Sequence, residues 1–426
     1  MRVTRGSASP CPVTPNDQVQ IALIGAGGMG QGDARNATIQ PGTKLIAACD
    51  IYQSRLERMR ETYGAGTFIT RDYREILARK DVDAVLVATP DHWHARITTE
   101  ALAAGKHVYC QKPMVQKVEE GPGVIAAEKA SGKILQIGSQ YVSSHVFVKA
   151  RELFRQGAIG ELNLVEAWLD RNSALGAWQY SIPANPNPQD IDWDRFIGHA
   201  PKRPFDPIRL FRWRNYGDYG TGVAGDLFIH LLSGLHTVTG SIGPTKVFAS
   251  GGVRFWKDGR DAPDVMLAIL DYPKSAAHPA FNLSLRVNLA SGVGQEQFGF
   301  RFYGSEGILT ASYSTLRLEK HPRETEPGYT IQTFAQKDQQ AFLSQYRKQY
   351  PPGPVAPRPD NEFRFSPQAD AHQLHHQAFA NSIRGGGSSV EDGTFGYRAA
   401  APALLCNQSA TEGVAFAWDP VNLRRA

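Results

Sequence analysis

Between Val19 and about Gln140, short apolar runs alternate with amphipathic stretches. Val19–Ile24, Lys44–Asp50, Ala84–Ala88, His107–Cys110 and Ile134–Ile137 read as buried strands, with a shorter one at Thr67–Ile69. Gln53–Tyr63, Asp72–Arg79, His94–Ala104 and Glu119–Ala130 carry the helical period, and Gly105 ends the third of them. Continuous apolar strands separated by helices predict a parallel sheet covered on both faces.

Beyond Gln140 the period changes. Val146–Phe154 is helical, Leu162–Leu169 extended and Ala224–Thr239 helical again. Lys246–Phe255, Asp264–Leu270, Phe281–Asn288, Phe298–Phe302, Gly307–Ala311 and Leu316–Glu319 then alternate across short turns, the pattern of an antiparallel sheet. Residues 172–220, rich in Trp, Pro, Arg and Tyr, keep no period, and a long irregular stretch with so many aromatics reads as functional rather than disordered. Residues 320–366 are polar and proline-containing, a surface insertion. Helices over Ala369–Ile383 and Thr394–Ser409 follow, divided by Gly385–Gly387. The expected fold class is α/β. Residues 19–140 form a Rossmann domain with a doubly wound parallel sheet, and residues 141–426 an α+β domain with a large, mostly antiparallel open sheet.

Composition narrows the class without naming a function. A chain of 426 residues favours two domains over one core. Its 42% hydrophobic and 20% charged content is that of a soluble globular protein. The net charge of +5 comes with no block of like charge, so nucleic acid is not an expected partner. No apolar run is long enough to span a membrane. Residues 1–18 carry Arg2, Arg5, Pro10, Pro12 and Pro15 but no apolar signal core, and read as a flexible arm. A cytoplasmic location is expected, and a periplasmic one if an export signal is missing from this chain. Cys11, Cys49, Cys110 and Cys406 form no C-x-x-C pair and read as reduced thiols, Cys49 and Cys110 at the ends of buried strands.

The chemistry begins at Gly25-Ala-Gly27-Gly28-Met29-Gly30, a G-x-G-x-x-G directly after the first strand. Gly25 allows the tight turn, Gly27 lets the backbone approach a pyrophosphate, and Gly30 lets the following helix pack closely on the strand. Unpaired N–H groups and the positive dipole end at that helix N-terminus favour phosphates. Asp50 ends the second strand twenty positions after Gly30, where a carboxylate hydrogen-bonds a ribose 2′-hydroxyl and repels a 2′-phosphate. Strand, loop, helix, strand and terminal acid in this order specify a dinucleotide site, with NAD favoured over NADP. Arg55 reads as a residue of the solvated face of the next helix. Since all parallel strands point their carboxyl ends at one edge, that edge also collects Thr89-Pro90-Asp91-His92-Trp93-His94 and Gln111-Lys112-Pro113.

These features together resemble the glucose–fructose oxidoreductase/inositol dehydrogenase/rhizopine-catabolism (Gfo/Idh/MocA) family, over roughly residues 19–320 and 369–418. The stretches that carry it are Gly25–Gly30, Asp50, Thr89-Pro90 through His94, Gln111-Lys112-Pro113 and Gly225-Asp226-Leu-Phe-Ile-His230. The family pattern is Glu-Lys-Pro where this chain has Gln111, which puts the tuning of Lys112 in question. The resemblance implies that the face bearing Asp226 and His230 closes over the nicotinamide, with Trp93 and His94 bordering the ring. His230 is then expected as general base, Asp226 as the group orienting it, and Lys112 as the cation stabilising the developing alkoxide or sharing the base role. His92 is expected at the surface. The resemblance also implies a homodimer or homotetramer formed through the C-terminal sheet.

Two other constellations carry candidate chemistry. His372, His375 and His376 lie on one helix without supporting acids or thiolates, so a packed or solvated face is preferred to a zinc site, and no metal is expected. Arg209–Tyr216, with Asp218 and Tyr219, mixes aromatic rings and guanidiniums just before the Asp226 helix, a composition suited to sugar rings and hydroxyls. Arg171, Trp178, Arg212, Trp213, Tyr216 and Tyr219 are the expected substrate contacts, while Tyr180 and Trp193 read equally as packing. The expected activity is NAD-dependent oxidation of a hydroxyl carbon in a sugar, polyol or glycoside. The alternatives are an NAD-dependent glycosidase working by oxidation, elimination, hydration and re-reduction, and a non-catalytic sugar or NAD sensor.

Overall fold

A computed structural model of the chain describes residues 18–321, 329–351, 361–365, 370–385 and 387–426. Six strands make the first sheet: β1 (Val19–Ile24), β2 (Thr43–Cys49), β3 (Phe68–Thr70), β4 (Ala84–Val87), β5 (His107–Cys110) and β6 (Leu135–Ile137). They lie parallel in the order β3-β2-β1-β4-β5-β6. Every residue of β4 is buried, as its unbroken apolar run requires with helices on both faces. The strand order reverses between β1 and β4, and a crevice opens above their carboxyl ends.

The second sheet has ten strands. These are β7 (Leu162–Asp170), β8 (Lys246–Gly252), β9 (Val265–Tyr272), β10 (Phe281–Asn288), β11 (Gln297–Gly304), β12 (Gly307–Ala311) and β13 (Thr315–Lys320). Then come β14 (Asn361–Arg364), β15 (Phe416–Asp419) and the two-residue β16 (Arg424–Arg425). The order is β14-β13-β12-β11-β7-β10-β9-β8-β15-β16. Adjacent pairs are antiparallel except β7 and β10, which run parallel because the domain's first strand is inserted between β10 and β11. Residues of β10 alternate between buried and more exposed positions, so one face of the sheet rests on helices. The helix Ile229–Thr239 beneath it is buried on every side. One apolar cluster runs from Ile24 and Val87 in the first sheet to Leu285 and Phe300 in the second.

Several elements lie where the sequence pattern predicts them, with Gln53–Tyr63, His107–Cys110, Phe281–Asn288 and Gly307–Ala311 matching residue for residue. Strands β14, β15 and β16 carry too little apolar alternation to be read from the sequence. The insertion is partly structured: Gln336–Gln349 is a helix with no buried residue, and β14 pairs with β13 at the sheet edge. The N-terminal arm up to residue 17, with Cys11, lies outside the described residues. The other three cysteines are buried and free.

The irregular stretch 172–220 is a strap laid across the first domain. Ile191, Phe196, Ile197, Leu210, Phe211, Tyr216 and Tyr219 form a separate apolar cluster that takes in Ile51 and Tyr52 after β2. The Asp192 amide donates to the Ile51 carbonyl at 2.8 Å, Tyr52 and Ile191 form an antiparallel bridge, and Arg195 pairs with Asp72 at 3.3 Å. Its proline-broken helices are too short to show a period, yet its aromatics bury like core residues.

Candidate active site

Two glycines hold the β1 turn in place. Gly25 has φ +97°, and a Cβ there would fall 2.6 Å from the Ala88 carbonyl; a Cβ at Gly30 would fall 1.9 Å from the Gly25 oxygen. A Cβ at Gly28 would meet nothing within 4 Å, so open space lies over the first turn of the helix Gly28–Thr38. That space belongs to a cavity of about 540 Å³. Gly25, Gly27, Gly28, Met29, Asp50, Thr89, Pro90 and Trp93 form its sheet-edge wall, and Tyr180, Phe211, Trp213 and Arg214 of the strap form the facing wall.

The residues present fit a dinucleotide. Asp50 is buried and held in place, its Oδ2 accepting the Ala26 amide at 2.7 Å and its Oδ1 the Tyr52 amide at 2.9 Å, which leaves further lone pairs for ribose hydroxyls. Thr89 Oγ1 is buried without a hydrogen-bond partner on the cavity wall. Arg55 is also on this wall, 3.7 Å from Asp50 and 5.5 Å over the Phe211 ring. The strap recruits it there, which corrects the solvated-face expectation.

Lys112 follows β5 and is 9% exposed. Its Nζ donates to Asp226 Oδ1 at 2.8 Å and to the Asp226 carbonyl at 2.7 Å. Arg214 Nε donates to the same Oδ1 at 3.2 Å. Asp226 therefore pairs with Lys112 and Arg214, not with His230, contrary to the expectation from their four-residue spacing. The chain is π-helical over Ala224–Phe228 before the regular helix resumes, an interruption that often marks a functional site. His230 is 7% exposed, its Nδ1 is buried without a partner, and the Tyr141 ring meets it edge-on at 5.1 Å.

Burial alone would raise the Asp226 carboxyl, but the Lys112 ammonium and the Arg214 guanidinium hold it well below the usual carboxylate range. Burial lowers Lys112 and Arg214 pushes it the same way, outweighing the pull of Asp226. Burial, reinforced by Lys112, drives His230 well below the ordinary imidazole value, leaving it neutral at pH 7. Asp91 is pushed up by burial and accepts from Thr221 Oγ1 at 2.7 Å.

Position 111 explains its own departure from the family pattern. Gln111 Nε2 donates to both oxygens of the buried Asp33, at 3.1 and 2.8 Å, and His376 Nε2 lies 3.2 Å from Asp33 Oδ1. A glutamate there would set one buried carboxylate against another, which the amide avoids. Lys112 thus takes its electrostatic setting from Asp226 and Arg214.

Other expected contacts sort differently. His94 is locked between the Pro113 and Thr89 carbonyls, at 2.7 and 2.9 Å, and holds the two strand ends together. His92 is not at the surface: it is 1% exposed, and its ring nitrogens face the Tyr219 and Phe196 carbonyls in the strap. Trp178 and Tyr219 are fully buried and Tyr216 nearly so, with Tyr216 and Tyr219 packed in the strap's apolar cluster. Arg212 donates to the Tyr180 carbonyl and to Gln179, while Arg171 pairs with Glu296 and donates to the Gly176 carbonyl. Trp213 lines the cavity beneath the Arg214 guanidinium, 4.2 Å away. His375 and His376 are buried, His376 stacked on Tyr109 at 4.3 Å, and among the described residues no cluster of metal-ligand type occurs.

His94, Gln111, Lys112, Asp226 and His230 are not on the cavity wall; Arg214 is the link, lining the cavity while touching Asp226. Arg214 was missed as an individual site residue because its partner is twelve positions away in a different element.

Comparison with known proteins agrees with the two-domain fold. Residues 19–139 match the oxidoreductase family model described as an NAD-binding Rossmann fold, and residues 151–421 match its C-terminal alpha/beta domain. Inositol 2-dehydrogenase of Rubrobacter xylanophilus is 32% identical over 188 residues, covering 43% of this chain and 53% of that protein. Glycosyl hydrolase family 109 protein 2 of a Shewanella species is 30% identical over 190 residues, covering 40% of this chain and 41% of that protein. The matched stretches thus span about half the length of these relatives or less. The fold is shared with levoglucosan dehydrogenase in complex with NADH and L-sorbose, at a TM-score of 0.69, 18% identity and coverage of 95% of this chain and 100% of that one. The chain belongs to the Gfo/Idh/MocA oxidoreductase family, with an NAD-binding Rossmann domain followed by the family's C-terminal alpha/beta domain.

Proposed function

We propose that this protein is an NAD-dependent oxidoreductase acting on a hydroxyl carbon of a sugar, polyol or glycoside. The observation that carries the reading is the buried Lys112–Asp226–Arg214 cluster, joined to the glycine-loop cavity through Arg214, together with the unpartnered Nδ1 of His230 one helical turn after Asp226. The names of the inositol 2-dehydrogenase and levoglucosan dehydrogenase relatives support the substrate class. When bound, NAD supplies the hydride acceptor. Gly25, Gly27, Gly28, Met29 and Gly30 would hold its pyrophosphate, Asp50 an adenosine ribose hydroxyl, and Thr89, Pro90 and Trp93 the wall nearer the reacting carbon.

Lys112 is the better proton acceptor. Burial lowers its amine from the ordinary lysine value, while burial and Lys112 drive His230 well below the ordinary imidazole value. His230 then accepts or donates a hydrogen bond at the carbinol oxygen, orienting it toward Lys112. Replacing His230 by Ala is expected to lower turnover about 10²-fold on whichever member of a sugar and polyol panel reduces NAD, with NADH binding retained. Unchanged turnover would remove His230 from the site. A panel on which the wild type forms no NADH would remove the dehydrogenase reading.

The strap favours a second reading. It roofs the cofactor cavity and is tied to the first domain by Asp192, Ile191 and Arg195. A cofactor held beneath it for many turnovers suits a glycosidase that oxidises and re-reduces the same sugar, the class named for the Shewanella relative. Release of the aglycone from an aryl glycoside with substoichiometric NAD, and solvent deuterium at sugar C2, are its expected marks. Absence of both excludes it. We further read the outward face of the ten-stranded sheet, where Phe248, Leu267 and Ile269 are exposed, as the surface through which copies of the chain pair.

A further inference from the structure

We propose that Arg214 is the standing counter-ion of Asp226, which lets Lys112 release its proton without leaving a buried carboxylate unpaired. The inference rests on the reading that Lys112 takes the carbinol proton. Lys112 Nζ and Arg214 Nε converge on one oxygen, Asp226 Oδ1, at 2.8 and 3.2 Å. With Lys112 alone, the pair would be a closed ion pair: deprotonating the amine would strand a carboxylate that is 6% exposed. With Arg214 present, the carboxylate keeps a cation that never titrates in the working range.

The guanidinium is held for this task. It lies 4.2 Å from the Trp213 ring and 5.8 Å from the Tyr180 ring, so residues of the strap itself flank the group that reaches Asp226. The remaining charged or titratable groups felt by Lys112 or its partners come from separate elements: Asp91 after β4, His230 on the long helix, Arg171 at the end of β7 and His372 on the helix Ala371–Gly385. Asp91, raised by burial, is engaged by the Thr221 hydroxyl at 2.7 Å. Lys112 is itself lowered by burial, with Arg214 acting in the same direction.

The step balances. The carbinol O–H and C–H bonds break and a C=O bond forms; the hydroxyl proton goes to Lys112 Nζ, and hydrogen with two electrons goes to NAD as hydride. Before the step, Lys112 is neutral and Asp226 and Arg214 cancel; after it, the proton has made Lys112 the ammonium that shares Asp226 with Arg214. The charge that appears on oxygen is thus met by the ammonium forming at Lys112, while Arg214 keeps Asp226 paired throughout.

The test reads Lys112 directly and needs no substrate. Full-length protein with NAD is labelled with ¹³Cε-lysine and titrated by NMR, the Lys112 signal being identified by its loss in Lys112→Arg. In wild type the signal should titrate below an ordinary lysine. Arg214→Gln and Arg214→Met should each raise that midpoint by about one pH unit or more, because Asp226 then binds the ammonium alone. Arg214→Lys, which keeps a cation, should leave it nearer the wild-type position. A folded, NADH-binding Arg214→Gln or Arg214→Met variant whose Lys112 midpoint is unmoved or lower overturns the proposal. So does an Arg214→Lys midpoint raised as far as in Arg214→Gln, since that would assign the effect to shape. If one neutral variant does not fold, the other decides. Failure of the wild type to oxidise any sugar would sink the functional reading without altering this titration, so the two failures are distinguishable.

Discussion

Lys112→Met is expected to lower turnover about 10³-fold while NADH binding persists, the largest catalytic loss among single substitutions at this site. Burial lowers the amine from the ordinary lysine value, and Met keeps its length and packing without a proton site. Asp226 still has Arg214, so the variant should fold. Lys112→Arg is the sharper comparison. It keeps a cation against Asp226 but cannot deprotonate in the working range. If Lys112 is the base, Arg fails as badly as Met; if it only stabilises an alkoxide, Arg retains much of the rate. The pH profile gives an independent check. A lowered amine must be neutral to accept the proton, so wild-type oxidation should rise with pH through a midpoint below the ordinary lysine value of about 10.4. A flat profile, or substantial rate in Lys112→Arg, would move the base role elsewhere.

The largest loss of stability is expected for Asp226→Ala. Side-chain exposure at Asp226 and Lys112 is 8% each, so this is an interior ion pair, and removing its anion leaves Lys112 and Arg214 facing each other. Breaking one partner of a buried pair costs about 3–5 kcal/mol. The pH dependence has a definite sign. Asp226 is depressed on folding, so its contribution is present above the unfolded carboxyl value of about 3.9 and is lost as pH falls through the folded value. In the variant, Lys112 has lost its anion and sheds its proton more readily, so the deficit also shrinks as pH rises above neutrality. Urea unfolding of wild type and Asp226→Ala from pH 3 to pH 10 should show the gap widest in the middle of that range. A gap below about 1 kcal/mol at pH 7 would make the cluster behave like an exposed pair and contradict its burial.

Much of the first domain is legible without coordinates because its signals are local. The β1 run, the glycine turn, the helix and Asp50 following β2 succeed one another within a short stretch, and a Cβ at Gly30 would clash with the Gly25 oxygen five positions earlier. Placing Lys112 at the ligand edge needed only the rule that parallel strands end on one side. The strap was harder. Its boundaries were visible as a loss of period, but which aromatics faced ligand and which faced protein was not, and Trp178, Tyr216 and Tyr219 went inward. His92 looked like an exposed residue of a turn and proved to be clamped between strap carbonyls.

By itself, then, the order of residues determined the Rossmann domain, the cofactor class, the family and the lysine at the strand end, because period, turn chemistry and spacing act over a few positions along the chain. Tertiary structure alone decided that Asp226 serves Lys112 and not His230, that Arg214 shares it, that Gln111 answers Asp33, and that the strap roofs the cavity. Charge pairing depends on distance in space, and the groups concerned are brought together from elements whose separation along the chain carries no trace of their contact.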